Sequence, residues 1–371
     1  MVPSLPIDLA ACRLRQSRFV ERMTAAGVDW AVLTSPESVQ WLTGVRVPFP
    51  FRTIASIDVA GEVALVVPHK VPDVAAADRV EAYVAKRLST MRSDQFAGAL
   101  ETWLPLAADR LGTKRVGLEF SSAPAHLVSN LSGDAIDLEP DLFDLRRCKQ
   151  PDEIALIRRA IAGTEAMYRT ARALIAPGLT ELAMFNALQS VAVETFGEPL
   201  TGTGNDYRCN ARGGAPRDAH PARAGELWIL DLGPAYRGYF ADNARTLAVT
   251  EPTDEQLEAW HRIVDIFALV ESTVRPGTSC RELFETVSAR LASAPCGRFD
   301  HHLGHGIGLH PHEAPRLNPN WDDCFREGDV FTVEPGLYDA ERLRHGIRLE
   351  NDYRVTADGV ELLTPFPLEL R

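Results

Sequence analysis

His301-His-Leu-Gly-His305-Gly-Ile-Gly-Leu-His310-Pro-His312-Glu-Ala-Pro315 concentrates imidazole and glycine in fifteen residues. Six of the ten histidines fall between positions 301 and 345. The glycines flanking His305 let backbone approach a ligand closely. Four other stretches supply carboxylates: Asp231-Leu-Gly233, Asp242-Asn-Ala-Arg245, Glu334-Pro-Gly336 and Arg348-Leu-Glu350. Asp231 closes the apolar run Leu227-Trp-Ile-Leu230, and Glu334 closes Val330-Phe-Thr-Val333. A charge ending a buried strand needs a partner or a metal. Asp231 and Asp242 fall on the two arms of one expected hairpin, where facing carboxylates can share a cation. Arg348 and Glu350 are two apart and so share one strand face. Taken singly, each acid has a plainer reading as a turn former or a salt-bridge partner. Together, one imidazole and four carboxylates suit a pair of divalent ions and hydrolytic chemistry.

Composition sets the frame. The 371 residues suggest two domains, and 45% hydrophobic with 24% charged residues is ordinary for a globular enzyme. The net charge of −12 argues against a nucleic-acid footprint or an anionic membrane surface. The six cysteines, Cys12, Cys148, Cys209, Cys280, Cys296 and Cys324, form no Cys-x-x-Cys pair. That pattern excludes a zinc ribbon or disulfide scaffold and fits reduced thiols in a cytoplasm. No apolar run has the length of a membrane span, and the arginine-dotted N-terminus does not read as a signal peptide.

Residues 1–145 read as an α/β domain. A helix is expected over 8–28 and a strand over Trp30–Thr34. A hairpin follows across Ala60-Gly61, then helices near 72–89 and 94–111, and strands at Lys114–Phe120 and Ala135–Leu138. His69 and His126 read there as surface or packing residues. Leu145-Arg-Arg-Cys-Lys-Gln-Pro151 marks the boundary to a second domain, 146–371, because Pro151 and Asp152-Glu153 suit a helix start. This second part carries a weak internal repeat: helix, Pro-Gly, Thr or Ser cap, helix. It occurs first at Pro177 and again at Pro276, with strand-like sequence after each copy. A duplicated unit of that kind places a site at its pseudo-two-fold seam. Thr201–Arg223, rich in Gly, Asn, Arg and Pro, reads as a long functional loop.

In this order, the five ligand-bearing stretches resemble the metallopeptidases of the "pita-bread" fold, among them prolidase, aminopeptidase P, methionine aminopeptidase and the metal-free creatinase. Gln40-Trp-Leu-Thr-Gly44 and the Leu145–Pro151 boundary resemble the proline-peptidase branch, with its creatinase/prolidase-like first domain. The resemblance implies an α/β N-terminal domain and an α+β C-terminal pita-bread domain with pseudo-two-fold symmetry. It implies two divalent metal ions per subunit, manganese first, with cobalt, zinc or iron as alternatives. Asp231 would bind one ion, Asp242 and Glu350 would bridge both, and His305 and Glu334 would complete the ligand set of the second ion. His301 and His312 match histidines that hold substrate and the tetrahedral intermediate, and Arg348 matches the arginine beside the last glutamate. Tyr239 and Arg245 match buttresses of the hairpin. A metal-bridging hydroxide would attack the scissile amide, with Glu334 as proton shuttle and His312 at the oxyanion. The implied substrates are short proline-containing peptides, cut at the Xaa-Pro bond by a dipeptidase or aminopeptidase that forms a homodimer.

Three positions depart from the family pattern. Ala244 and Leu303 stand where threonine is common. The loop before Asp231 is shortened, and His220 is the candidate there for an upstream substrate-binding histidine. That loop keeps a second expectation open, a metal-dependent hydrolase or lyase of a small amide or cyclic solute. A non-catalytic binding module is disfavoured by the complete ligand set.

Overall fold

Trp30-Ala-Val-Leu33 is buried along its whole length and forms β1, a central strand of the first unit. The computed structural model describes residues 5–217 and 220–371. Its described chain divides into two units, Leu5–Arg146 and Arg147–Arg371.

In the first unit, β1 is joined by β2 (Ile54–Asp58), β3 (Val63–Pro68), β4 (Arg79–Tyr83), β5 (Arg115–Leu118) and β6 (Asp134–Asp137). They form one sheet in the order β4-β3-β2-β1-β5-β6. β2 and β3 are the expected hairpin, antiparallel to each other, and β2 is antiparallel to β1. β4, β5 and β6 add in parallel. The helix α1 (Leu9–Ala25) is capped by Asp8, whose Oδ1 accepts from the Ala11 amide at 2.9 Å. α2 spans Pro36–Thr43, and α3 spans Gln95–Leu106. Trp30 stacks on Trp103 of α3 with ring centroids 5.3 Å apart, and Trp103 Nε1 donates to Ser56 Oγ at 3.1 Å.

One expectation fails here. Within 72–89, where a helix was expected, the chain forms the edge strand β4. Arg79-Val-Glu-Ala-Tyr83 alternates between more and less exposed positions. Its parallel pairing with β3, from Ala64↔Arg79 to Pro68↔Tyr83, satisfies the backbone that a helix would have satisfied locally. Period two over five residues outweighs the alanine-rich composition.

The second unit opens with α4 (Pro151–Leu174), started by Pro151 and a reciprocal Gln150–Glu153 capping box. α5 (Glu181–Phe196) follows. Asp206–Cys209 (β7), Leu227–Asp231 (β8) and Ala244–Ala248 (β9) then form a three-stranded sheet in the order β9-β8-β7. The pattern repeats as α6 (Asp254–Thr273) and α7 (Cys280–Leu291). A five-stranded sheet comes next, from Gly304–Gly306 (β10), Glu313–Leu317 (β11), Val330–Val333 (β12), Asn351–Val355 (β13) and Val360–Leu362 (β14). Its order is β11-β10-β12-β13-β14. The two Pro-Gly turns match closely, with φ of 92° at Gly178 and 91° at Gly277, a left-handed conformation that glycine adopts without strain. Thr180 and Ser279 then cap α5 and α7 in the same way, accepting from the Ala183 and Glu282 amides. The sheets are tied where Glu350 N donates to Ala244 O at 2.9 Å and Thr246 Oγ1 donates to Arg348 O at 3.0 Å. α6 and α7 bury Ile263, Ile266, Phe267, Val270, Leu283 and Val287 in the same core as Phe331, Val333, Leu349 and Tyr353. Each such side chain contributes roughly 1.5–3 kcal/mol of burial. Among the described residues, no helix is long and apolar enough to cross a membrane.

Candidate metal centre

The seam between the repeated halves receives Asp231 and Asp242 from the first sheet and His305, Glu334 and Glu350 from the second. Asp231 ends β8 opposite Ala244 and Asp206. Asp242 precedes β9 by two residues, and its amide donates to Asp352 Oδ2 at 3.4 Å. His305 lies at a register shift in β10, with its amide donating to Thr332 Oγ1 at 3.2 Å. Its Nδ1 faces the Gly306 carbonyl at 3.1 Å, so Nε2 is turned inward, 3.7 Å from Asp242 Oδ2 and 3.5 Å from Glu334 Oε1. Glu350 closes the group; atoms of Asp242, His305 and Glu350 all lie within 4.8 Å of one another. Tyr239 Oη donates to Glu153 Oε1 at 3.1 Å, and Arg245 donates to Glu350 O and, at 2.9 Å, to Asn351 Oδ1.

The donors fit divalent cations. All five side chains are buried, and Asp231 Oδ1 and Glu350 Oε2 are enclosed without a hydrogen-bond donor. A buried carboxylate oxygen left that way is expensive unless a cation meets it. Burial raises the Asp231 carboxyl to about 6, against the opposing pull of Arg348. Burial, reinforced by neighbouring carboxylates, raises Asp242 and Glu350 well above the usual carboxylate range. Glu334 goes the other way. Burial alone would raise it, but the bond from His302 and the adjacent imidazoles hold it down at about 2. Burial lowers His305 to about 4, leaving a neutral imidazole, the form that ligates. The set is oxygen-rich with one nitrogen, suited to hard or borderline divalent ions.

Around these five, the structure brings in most of the remaining expected residues. His312 stacks on His305 with centroids 3.6 Å apart. His301 Nε2 sits 2.9 Å from Tyr338 Oη, and its Nδ1 3.9 Å from Glu334. Arg348 Nη2 donates to Asp231 Oδ2 at 2.8 Å and also to the Asp206 carboxylate. A cavity of about 180 Å³ opens beside the histidines, lined by His302, His305, His312, Arg316, Asn318 and Trp321 among others.

His220 is not brought to this centre. Cys209 opposes Trp228, and Asp206 opposes Asp231. Strand residues alternate faces, so Asp231 and Cys209 point to opposite sides of the β7–β8 pair. His220 stands on the Cys209 side, with Nε2 3.6 Å from Glu226 Oε2. Glu226 precedes Asp231 by five residues, roughly 17 Å of extended strand. The expected substrate-binding role of His220 is therefore not supported by its place in the fold. Instead Arg212 reaches the site's rim, its guanidinium 4.0 Å over the Tyr338 ring and paired with Asp300.

Four neighbours went unread in the sequence. His302, adjacent to His301, bonds Glu334 Oε1 at 2.7 Å. Only its place in the histidine cluster signalled it. Asp206, Asp352 and Tyr338 had no distinctive motif, because their importance lies in pairings across strands.

The sequence profile of Metallopeptidase family M24 matches residues 155–357, and that of the Creatinase/Prolidase N-terminal domain matches residues 15–148. The chain is 29% identical over 294 residues to an Xaa-Pro dipeptidase of Pyrococcus horikoshii, covering 75% of this chain and 78% of that protein. In structure it resembles an Xaa-Pro dipeptidase from Bacillus anthracis (TM-score 0.81, 22% identity, 97% of this chain and 99% of that one). It also resembles an X-Pro aminopeptidase from Thermotoga maritima (TM-score 0.77, 23% identity, 96% and 98%). Both share the two-domain fold whose second domain is the pita-bread unit. With the profile spanning more than half its length, the chain belongs to metallopeptidase family M24 and is a metallopeptidase with a creatinase/prolidase-type first domain.

Proposed function

We propose that this enzyme cleaves the Xaa-Pro bond of dipeptides or short peptides, with two divalent ions held by Asp231, Asp242, His305, Glu334 and Glu350. The carrying observation is the pair of donorless buried oxygens, Asp231 Oδ1 and Glu350 Oε2, the second on a carboxylate crowded with Asp242 and His305. Manganese suits the oxygen-rich set first, with cobalt, zinc or iron compatible. When bound, such ions supply Lewis acidity and an acidified water.

The chain's own groups do the rest. His312 and His301 offer N–H donors to the scissile carbonyl and its developing oxyanion. Glu334, ionised against His302, accepts a proton from the attacking water and passes it to the departing proline nitrogen. Tyr338 fixes the His301 ring through the 2.9 Å contact. Arg316, whose guanidinium lies 5.4 Å over Trp321, lines the cavity and offers a counter-charge to the carboxylate of a dipeptide. That favours a dipeptidase over an aminopeptidase. The six cysteines are all unbridged, in keeping with a cytoplasmic enzyme, and we place it there as a homodimer. A small amide or cyclic solute is the second reading, favoured by Arg212 standing against Tyr338 at the rim.

The deciding experiment is hydrolysis of Xaa-Pro dipeptides and Xaa-Pro-Xaa tripeptides by manganese-loaded enzyme, beside Asp242→Ala. Cleavage absent from the variant supports the proposal. No cleavage by folded, metal-replete enzyme moves the assignment to the small solute.

A further inference from the structure

On the reverse face of the β7–β8 pair from Asp231, three side chains converge that the peptidase chemistry does not use. Cys209 ends β7. Glu226 lies one residue before β8 and two before Trp228, the partner of Cys209, so both side chains share a face. Cys209 Sγ is 3.5 Å from Glu226 Oε2. His220 enters from the far side of the 210–217 loop. Its carbonyl accepts from the Glu181 amide at 3.3 Å, and the next residue, Pro221, bridges to Thr180. Its Nε2 lies 3.6 Å from the same Glu226 oxygen, is enclosed, and has no hydrogen-bond partner.

We propose that Cys209, His220 and Glu226 are the protein ligands of a zinc ion separate from the peptidase centre, a clip that fastens the loop-bearing segment to the sheet. The spacing fits. Bond lengths of about 2.3 Å to sulfur and about 2.0–2.2 Å to nitrogen or oxygen give tetrahedral edges of about 3.6 Å (S–O) and about 3.4 Å (N–O). The observed separations of 3.5 and 3.6 Å match, and the three donor atoms all lie within 4.8 Å of one another. Thiolate, imidazole and carboxylate together select zinc over the hard ions that suit an oxygen-rich site. With three protein ligands, a water would complete the tetrahedron.

The site's electrostatics ask for a cation. Cys209 is buried against the Glu226 carboxylate, and burial followed by that charge pushes its thiol pKa far up. Arg217, the guanidinium of this corner, is taken up by Glu181, at 2.5 Å, and by the Cys209 carbonyl, at 2.7 Å. On binding, the Sγ–H bond breaks, the sulfur's electron pair goes to the metal and the proton to solvent, so uptake is proton-coupled. The consequence for the peptidase is mechanical. The clipped segment leads from the loop in which Gly214 N donates to Asp206 at 2.5 Å, and Asp206 is a partner of Arg348.

The test uses the full chain, stripped of metal and titrated with cobalt(II). The peptidase centre offers only oxygen and nitrogen, so a near-ultraviolet thiolate-to-cobalt charge-transfer band reports this site alone. The expected result is such a band, saturating with about one thiolate-bound cobalt per chain once the two ions of the peptidase centre are also supplied, abolished in Cys209→Ala and weakened in His220→Gln. The zinc content of the zinc-loaded protein should fall by about one ion per chain in the same variants. A metal-replete wild type without the band, or a band that survives Cys209→Ala, overturns the proposal. If Cys209→Ala does not fold, His220→Gln decides alone, because its side chain is the least buried of the three. Failure of peptide cleavage with this band intact would touch only the substrate assignment.

Discussion

Arg348 donates from a single nitrogen, Nη2, to both Asp231 Oδ2, at 2.8 Å, and the Asp206 carboxylate. Asp231 thus spends one oxygen on an arginine and keeps the other, Oδ1, free of donors. Arg348→Met should leave the buried Asp231 carboxylate, and the half-buried Asp206 beside it, without their shared cation, destabilising the metal-free protein by about 3–5 kcal/mol. Arg348→Lys should fold better but lower metal affinity about 10- to 100-fold, since a lysine's single nitrogen cannot meet Asp231 and Asp206 while a second one stays on Tyr338 Oη. Isothermal titration of the metal-free protein with manganese checks this. Unchanged affinity in Arg348→Lys would show that Arg348 does not orient Asp231.

Gly306 follows His305 at the register shift between β10 and β11. A Cβ there would collide with the Ala314 carbonyl, which belongs to backbone and cannot swing away. Gly306→Ala is expected to lower stability by about 1–3 kcal/mol. It should also displace His305 and cut metal-dependent activity further than that loss of stability explains. Calorimetry beside metal titration measures both, and a variant with native stability and native affinity would contradict the packing.

Arg316 is 44% exposed and meets both Trp321 and Asp323. If it receives the carboxylate of a dipeptide, Arg316→Ala should raise KM for Xaa-Pro about 10-fold or more, from a charged hydrogen bond of about 1.5–3 kcal/mol. The KM for an Xaa-Pro amide should scarcely change, and kcat should stay near wild type for both. Equal losses on the two substrates would remove Arg316 from carboxylate recognition.

In the metal-free protein Glu181 carries a pH-dependent part of the stability, away from the peptidase centre. Burial opposes its ionisation, yet the Arg217 guanidinium and the Cys209 and Arg217 amides together hold its pKa below the ordinary glutamate value. A depressed folded pKa contributes stability that is present above the unfolded value and is lost as pH falls through the folded one. Glu181→Gln should therefore destabilise by about 1–3 kcal/mol at pH 7. The gap in Tm from wild type should narrow as pH is lowered past the unfolded glutamate value. A gap that stays constant over that range would show that the carboxylate charge has no part in it.

Sequence alone determined what local chemistry fixes. Pro-Gly turns before Thr180 and Ser279 dictate where helices stop and start, because left-handed backbone and side-chain caps act within a few residues. Apolar runs ending in Asp231 and Glu334 announce buried charges for the same reason. Tertiary structure decided the rest. Arg79–Tyr83 became a strand because an edge of the sheet was available to pair with it, which no window of five residues can reveal. His302 was joined to Glu334, and Asp206 to Arg348, by contacts across 32 and 142 residues. His220 shares a short segment with residues that reach the site, yet the alternation of strand faces sent it to the other side of the sheet, beside Cys209 and Glu226. Which face a residue takes depends on strand register, and register is set by partners distant in the chain.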